Sequence, residues 1–239
     1  MDQEGAGENF QMAQVKTNTS SAICIFTKPP AAGMAKTRLI PAVGAEFAAK
    51  LAEAFLRDTL AAVWKFGRSQ PVIAATVPFE REYLLGQAMW IQPEGELGFR
   101  IEAILQRALL KYNMAFAIGA DSPGLPINYL DQARNFLGSS DVVLGPCMDG
   151  GFYLIGVKEC PSGLLSGIEW STPTTLEHTV SRLQRQGLSV ALLPEWFDVD
   201  TEDELAHLEL LIKERIVDCP HTQAVLESFR RSKVFSYQQ

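Results

Sequence analysis

Three cations are concentrated in one short segment of the sequence. Lys28, Lys36 and Arg38 lie in Lys28-Pro-Pro-Ala-Ala-Gly-Met-Ala-Lys-Thr-Arg38, directly after an apolar run that is typical of a buried strand. Basic side chains that converge on one ligand neutralise the charge that a diphosphate spreads over several oxygens. Because the chain is otherwise acidic, we interpret this segment as a polyphosphate-binding loop rather than a basic surface loop. Its predicted nucleotide-binding residues are Lys28, Pro29, Gly33, Lys36, Thr37 and Arg38.

A second candidate is Asp121, in Gly119-Ala-Asp-Ser-Pro123 at the end of another apolar run. Divalent ions usually meet nucleotide phosphates through one or two protein carboxylates. Asp121 is therefore predicted to hold Mg²⁺ or Mn²⁺ beside the basic loop, and to act in catalysis with Lys36 and Arg38. The structural alternative is a turn aspartate, because Asp-Ser-Pro-Gly is also common turn chemistry.

Two later segments offer further carboxylates. Asp149 lies in Met148-Asp-Gly-Gly151, which also suits a hairpin turn. In Asp198-Val-Asp200-Thr, alternate residues of an extended segment project to one side, and Asp200 is either a metal ligand or the N-cap of the following helix. The sequence leaves open whether Asp149 or Asp200 joins Asp121 at the metal. Trp170-Ser-Thr172, at the head of another helix, offers hydroxyls to a substrate anion or simply caps that helix.

Several common nucleotide-binding and metal-binding motifs are excluded. Ala35 and Pro30 occupy the positions where a P-loop ending in Lys36-Thr37 requires glycine, so the nest of backbone amides cannot form. No Gly-x-Gly-x-x-Gly follows a predicted strand, which removes the main support for a dinucleotide-dependent dehydrogenase. The four cysteines form no Cys-x-x-Cys pair and the three histidines are scattered, so no zinc site is predicted.

The order of elements predicts an α/β fold. Stretches with helical periodicity separate several of the apolar runs, as in Ile101, Ile104, Leu105, Ala108 and Leu109. Capping-box spacings at Thr174/Glu177 and Thr201/Glu204 place two more helix starts. Only Met148 to Gly151 separates two of the predicted strands, too short for a parallel crossover, so the pair near residues 141 to 157 must be antiparallel. The predicted strands are Ala22 to Thr27, Pro71 to Val77, Met114 to Ala120, Asp141 to Cys147, Phe152 to Val157 and Leu188 to Leu193.

Length and charge bound the class of protein. At 239 residues with 47% hydrophobic residues, the chain is long enough for one α/β domain. The net charge of -7 argues against a nucleic-acid or anionic-membrane partner. Residues 1 to 20 are polar and read as a flexible arm without a signal peptide, which predicts a cytoplasmic protein with no membrane span. We expect a single domain over residues 21 to 217 and a tail over 218 to 239.

Taken together, these motifs resemble the bacterial DUF2064 proteins, also called selenodomain-associated transferase 1, a family of GT-A nucleotide-diphospho-sugar transferases. The resemblance runs from about residue 22 to residue 206. The sequence departs from the family pattern at Glu96, where an aspartate is usual, and at Phe99, where a charged residue is common. Six segments carry the resemblance: Phe26 to Leu39, Gln92 to Gly98, Gly119 to Pro123, Leu144 to Tyr153, Trp170 to Thr172 and Asp198 to Thr201.

The resemblance implies a Rossmann-like, three-layer GT-A domain with a mostly parallel mixed sheet. It places a nucleotide in the first half of the domain, with Gly95 and Gly98 among the nucleotide-binding residues, and a metal at Asp121. The later motifs then form an acceptor pocket. Its residues are Asp149, Gly150, Trp170, Ser171 and Thr172.

Three functions are consistent with these motifs. The leading hypothesis is metal-dependent nucleotidyl transfer from a nucleoside triphosphate to a phosphorylated small-molecule acceptor, because a basic loop suits a departing pyrophosphate. Glycosyl transfer from a nucleotide sugar is the main alternative, although Ala-Asp121-Ser lacks the Asp-x-Asp that many metal-dependent glycosyltransferases carry. The third is a nucleotide-binding module without turnover.

Overall fold

A computed structural model describes residues 21–84 and 86–236. The predicted N-terminal arm, residues 1 to 20, lies outside the described residues. The strands are β1 (Ser21–Thr27), β2 (Gln70–Ala75), β3 (Ala88–Ile91), β4 (Met114–Gly119), β5 (Val142–Pro146), β6 (Phe152–Val157) and β7 (Val190–Leu192). The six predicted strands are confirmed, and β3 is an addition.

The seven strands form one mixed sheet in the order β3-β2-β1-β4-β6-β5-β7. Strand β6 runs antiparallel to both of its neighbours, β4 and β5, while the other pairings are parallel. The antiparallel pair predicted from the short Met148 to Gly151 connection is therefore confirmed. The carboxyl ends of β1 to β4 meet at one edge of the sheet, which is where an α/β fold places its ligand.

Helices cover both faces of this sheet. Along β1, Ala22 and Cys24 face one hydrophobic cluster and Ile23 and Ile25 face another, as the two-residue period of a doubly covered strand requires. Helices α3 and α5 contribute to the first cluster, and α2 and α4 to the second. This confirms the predicted three-layer sandwich. The helices of the described residues are α1 (Ile40–Val43), α2 (Ala45–Phe66), α3 (Leu97–Leu109), α4 (Ile127–Phe136), α5 (Thr175–Arg185), α6 (Glu202–Lys213) and α7 (Pro220–Ser236).

The segment treated above as a C-terminal tail contains helix α7, which packs on α2. The rings of Phe47 and Phe229 stack with centroids 3.9 Å apart. Asp58 is buried in α2 and accepts hydrogen bonds from the backbone N–H groups of His221 and Thr222, at the first turn of α7. A carboxylate at a helix N-terminus satisfies orphan N–H groups and complements the helix dipole, so α7 is held by a specific cap as well as by packing.

The two capping-box predictions have different outcomes. At α6, Thr201 and Glu204 form the complete reciprocal box. At α5, Thr174 is the N-cap but its side chain makes no capping bond, so that capping box is wrong although the predicted helix start is correct. Thr175 instead donates to the carbonyls of Glu169 and Thr172, which closes the turn before the helix.

Among the helices of residues 21–84 and 86–236, none is both long and apolar enough to cross a bilayer.

Candidate functional site

A cleft of about 600 Å³ opens at the carboxyl edge of the sheet. It brings together the basic loop, the end of β4, the β5–β6 connection and the segment before α6. Ten of the predicted site residues line it: Lys28, Lys36, Thr37, Arg38, Asp121, Asp149, Trp170, Ser171, Thr172 and Asp200. Five others do not: Pro29, Gly33, Gly95, Gly98 and Gly150.

Lys36 is the centre of the charged end of the cleft. Its Nζ lies 2.7 Å from Asp121 Oδ1 and 3.1 Å from Asp200 Oδ1, with only 2% of the side chain exposed. Burial alone would lower the pKa of Lys36, but the two carboxylates outweigh burial and raise the pKa above its usual value. The predicted convergence of a loop cation with Asp121 is therefore present in the fold, and Lys36 is a buried cation shared by two acids.

The backbone at Lys36 is unusual for a lysine. Its φ of 49° and ψ of 41° lie in the left-handed region, immediately before a 3₁₀ turn over Thr37–Leu39. Such a conformation costs a non-glycine residue about 1 kcal/mol or more and persists where the surroundings fix it. Here the two ion pairs, and the Phe55 ring 5.5 Å from Nζ, fix it.

Asp200 is paired through both of its oxygens. Oδ1 contacts Lys36, and Oδ2 accepts a hydrogen bond from Arg38 Nη1 at 3.0 Å. The strand-like segment that carries Asp200 is docked beside β4 because the N–H of Val199 donates to the carbonyl of Asp121 at 2.9 Å. Asp121 and Asp200 are thus adjacent, although 79 positions separate them in the sequence.

Asp198 lines the cleft, although it was not among the site residues predicted from the sequence. Ser122 donates a short hydrogen bond to its Oδ1. Burial raises the pKa of Asp198 to about 6; the Ser122 hydrogen bond opposes this shift and the neighbouring charge of Asp121 adds to it. The sequence signal was its alternation with Asp200, which places both carboxylates on one side.

Asp149 lies beside Cys147 and Asp198 in the cleft. Its Oδ1 accepts a hydrogen bond from the Gly151 N–H at 2.8 Å, as a turn aspartate does. One ligand atom each from Cys147, Asp149 and Asp198 lie within 4.8 Å of one another. Burial raises the pKa of the Cys147 thiol to about 12, and the two carboxylates are the hard ligand groups of this cluster.

The Trp170 to Thr172 segment forms another part of the cleft wall. The Trp170 ring packs edge-to-face on Phe152, with centroids 5.7 Å apart. Ser171 has a positive φ of 60°, which is strained for serine and marks a backbone held by its surroundings. This wall joins an aromatic surface to hydroxyl groups at the head of α5.

Gly98 and Gly150 support that wall from behind. A Cβ at Gly98 would lie 3.0 Å from the Trp170 ring and 2.9 Å from the Leu165 carbonyl, and a Cβ at Gly150 would overlap the backbone of Pro173. Both glycines therefore allow close packing against the segment around Trp170.

Gln92 and Arg100 lie at the β3 end of the cleft. Neither was among the site residues predicted from the sequence. Gln92 is buried, and its Nε2 donates to the Ala74 carbonyl at 2.7 Å. Gln92 belongs to one of the motifs quoted above, and Arg100 follows that motif by two residues.

Comparison with known proteins finds a matching family and similar solved structures. Residues 59–172 match the model of a family described as "Uncharacterized protein conserved in bacteria (DUF2064)". The structure of a candidate nucleotide-diphospho-sugar transferase from Desulfovibrio desulfuricans G20 is 30% identical, matches 88% of this chain and 97% of the other, and has a TM-score of 0.78. No curated protein gives a significant match.

More distant structures share the fold. Rv0371c from Mycobacterium tuberculosis H37Rv is 17% identical over 80% of this chain and 98% of its own, with a TM-score of 0.51. The 2-C-methyl-D-erythritol 4-phosphate cytidylyltransferase from Thermus thermophilus is 15% identical over 81% and 99%, also with a TM-score of 0.51. Fold and cleft together define an α/β protein of the nucleotide-diphospho-sugar transferase class. Within that class, the chain belongs to the DUF2064 family.

Proposed function

We propose that the protein transfers a nucleotidyl group from a nucleoside triphosphate to a small-molecule acceptor, with Mg²⁺ or Mn²⁺ as cofactor. The observation that carries this proposal is the 2.7 Å contact between Lys36 and Asp121 in the cleft at the carboxyl edge of the sheet. It joins the polyphosphate-binding loop to a carboxylate that can meet a metal. Transfer in general is supported by the fold shared with transferases.

The residues fit a hard divalent ion. Asp121 keeps 57% of its side chain exposed, and one contact to Lys36 leaves most of its lone-pair sites available. Carboxylate oxygens are the donors that Mg²⁺ and Mn²⁺ prefer. In the proposal Asp121 holds the ion with Asp149 or Asp200, and the bound ion would neutralise charge on the phosphates.

The chain's own cations handle the polyphosphate. Lys28 and Arg38 are exposed on the cleft wall, and the Arg38 side chain is 71% exposed. We assign them to the phosphate oxygens, where charged hydrogen bonds are strongest. Lys36 keeps Asp121 and Asp200 in place through its two ion pairs.

The reaction requires little covalent chemistry from the protein. An oxygen of the acceptor attacks the α-phosphorus, the bond to the bridging oxygen breaks, and pyrophosphate leaves with the electron pair. The Lys28 and Arg38 side chains stabilise the negative charge on the leaving group. The wall formed by Trp170, Ser171 and Thr172, together with Asp149, holds the acceptor against the nucleotide, and Gly150 supports this wall from behind.

Glycosyl transfer from a nucleotide sugar is the second candidate. It is favoured by the name of the 30% identical neighbour, a candidate nucleotide-diphospho-sugar transferase. The same cleft would then hold a diphosphate, and the attacked atom would be a sugar carbon. The departing group would be a nucleoside diphosphate instead of pyrophosphate.

Binding measurements separate the two candidates. We expect nucleoside triphosphates with Mn²⁺ to raise the unfolding midpoint more than nucleotide sugars do, since ligands that bind the native state stabilise it by mass action. The Arg38→Ala variant should weaken triphosphate binding by about 10- to 100-fold, the effect of losing a charged hydrogen bond.

Lys65→Ala is the matched control, because Lys65 is 68% exposed and forms a surface ion pair with Asp218 away from the cleft. It should leave binding unchanged. Tighter binding of nucleotide sugars than of triphosphates would favour glycosyl transfer. A protein that binds neither ligand, with or without metal, contradicts both candidates.

A further inference from the structure

Arg100 is an unusual cation in the cleft. It lies in the first turn of α3 and lines the cavity. Its Nε is buried without a hydrogen-bond partner. Its side chain makes one long hydrogen bond, from Nη1 to Gln92 Oε1 at 3.4 Å, and no carboxylate among the described side chains pairs with it. A buried guanidinium N–H without an acceptor costs free energy, and the Arg100 donors that Gln92 does not occupy face the cleft, where a ligand can accept them.

Gln92 fixes where this guanidinium sits. The Gln92 N–H donates to Ala75 O at 2.8 Å and its Nε2 donates to Ala74 O, so backbone and side chain are both tied to the end of β2. Because Nε2 is bonded to Ala74 O, Oε1 is directed at Arg100, and Gln92 serves as the anchor of Arg100. The free donors of Arg100 are therefore presented at the β2–β3 end of the cleft.

That end is separate from the charged end. Gln92 is bonded to the end of β2 and Asp121 follows β4, and the strand order β3-β2-β1-β4 separates β2 from β4 by two strand spacings, roughly 10 Å at the usual distance between neighbouring strands. Lys36 and Asp121 mark the polyphosphate position between β1 and β4. A nucleotide whose phosphates lie there can extend its base along the strand ends toward Arg100.

We propose that Arg100 selects the nucleobase, and that the preferred bases carry a carbonyl oxygen; this rests on the proposed function. Arginine offers only donors, so its partner must be an acceptor. Guanine presents O6 beside N7, which is the commonest arginine contact in base recognition, and cytosine and uracil present carbonyl oxygens. Adenine presents only ring nitrogens as acceptors, and the amino group beside N7 is a donor that opposes the donors of arginine. A site built to hydrogen-bond a group discriminates strongly against an analogue that lacks it. The protein therefore prefers guanine, cytosine or uracil nucleotides over adenine nucleotides.

The test measures dissociation constants of ATP, GTP, CTP and UTP with Mn²⁺ by calorimetry, on the full chain and three variants. In the unmodified protein at least one carbonyl-bearing triphosphate should bind about 10-fold or more tighter than ATP. Arg100→Met, which keeps the length and removes the donors, should abolish that preference and leave the ATP affinity within about threefold. Arg100→Lys, which keeps charge but loses the planar fork, should fall between them. It also serves if the methionine variant does not fold.

Arg107→Met is the matched control on the same helix, because Arg107 stacks on Trp90 at 4.4 Å and lies outside the cleft. It should keep the base preference. Equal affinity for all four triphosphates, or an equal loss for ATP and the others in Arg100→Met, overturns the inference while leaving nucleotidyl transfer intact. If only nucleotide sugars bind, nucleotidyl transfer fails, and the inference is tested on GDP-, UDP- and ADP-sugars with the same variants. If no nucleotide of any kind binds, both are overturned.

Discussion

Replacing Lys36 by methionine removes the buried cation that two carboxylates share. Removing one partner of a fully buried ion pair costs about 3 to 5 kcal/mol. Here the Asp121 and Asp200 side chains are 57% and 38% exposed, so water solvates them once Lys36 is gone. Asp200 also keeps Arg38. Methionine fills most of the space of the lysine stem. We therefore expect a loss of about 1 to 3 kcal/mol in the free energy of unfolding.

Urea unfolding in EDTA at pH 7.5 measures this loss, with Lys65→Met as the control. That control breaks an exposed pair, with 68% and 78% of the side chains in water, and should cost well under about 1 kcal/mol. Because the folded pKa of Lys36 is raised above 10.5, its contribution is fully present below that value and is lost only as the pH rises through the folded pKa. The difference between Lys36→Met and the unmodified protein should thus be constant from neutral pH to about pH 9. A loss no larger than that of Lys65→Met would refute the shared-cation geometry.

Three further predictions follow from side-chain burial and backbone geometry. Asp198→Asn, measured in EDTA, should be as stable as the unmodified protein below pH 3.8 and more stable, by up to about 3 kcal/mol, above pH 6. The reason is that the raised pKa of Asp198 favours the protonated acid in the folded protein and penalises the anion. A lower stability of Asp198→Asn at neutral pH would contradict this. Glu102→Ala removes a buried carboxylate that accepts hydrogen bonds from the backbone N–H groups of Gly163 and Leu165, at 2.9 and 2.6 Å. Its loss should lower the free energy of unfolding in urea by about 2 to 4 kcal/mol and speed proteolysis of residues 159–169. Gly150→Ala should cost more than Gly33→Ala in thermal unfolding, because both have positive φ but only Gly150 faces the backbone of Pro173; equal losses would mean that strain alone matters.

The sequence predicted the sheet well because each buried strand is a run of consecutive apolar residues, which is visible locally in the sequence. Six apolar runs became strands with ends displaced by at most two residues, and the four-residue gap before Phe152 required the reversed strand. Strand β3 was missed because it has four residues and only Trp90 in it is buried, so neither alternation nor an apolar run is visible. Helix α7 was missed for a tertiary reason, since its stability depends on the stack on Phe47 and the cap from Asp58, both distant in sequence.

At the site, the sequence indicated which residues meet but gave little of how they meet. The rule that ligands bind at the carboxyl ends of strands was enough to bring Lys36 and Asp121 together. The pairing of Lys36 with two acids, and the raised pKa of Asp198, depend on burial that local patterns do not encode. The unpaired Nε of Arg100 could not be predicted from the sequence either, because a missing hydrogen-bond partner is visible only in three dimensions.

In the proposed function, Asp121 and the cations of the basic loop together hold a nucleotide polyphosphate and a divalent ion. A crystal structure with Mn²⁺ and a non-hydrolysable triphosphate tests it most directly, through the anomalous scattering of manganese. We predict a manganese peak at coordination distance from an Asp121 oxygen, about 2.0 to 2.4 Å, with phosphate oxygens bonded to Lys28 or Arg38. Manganese bound elsewhere, or a triphosphate outside the cleft, would contradict this proposal.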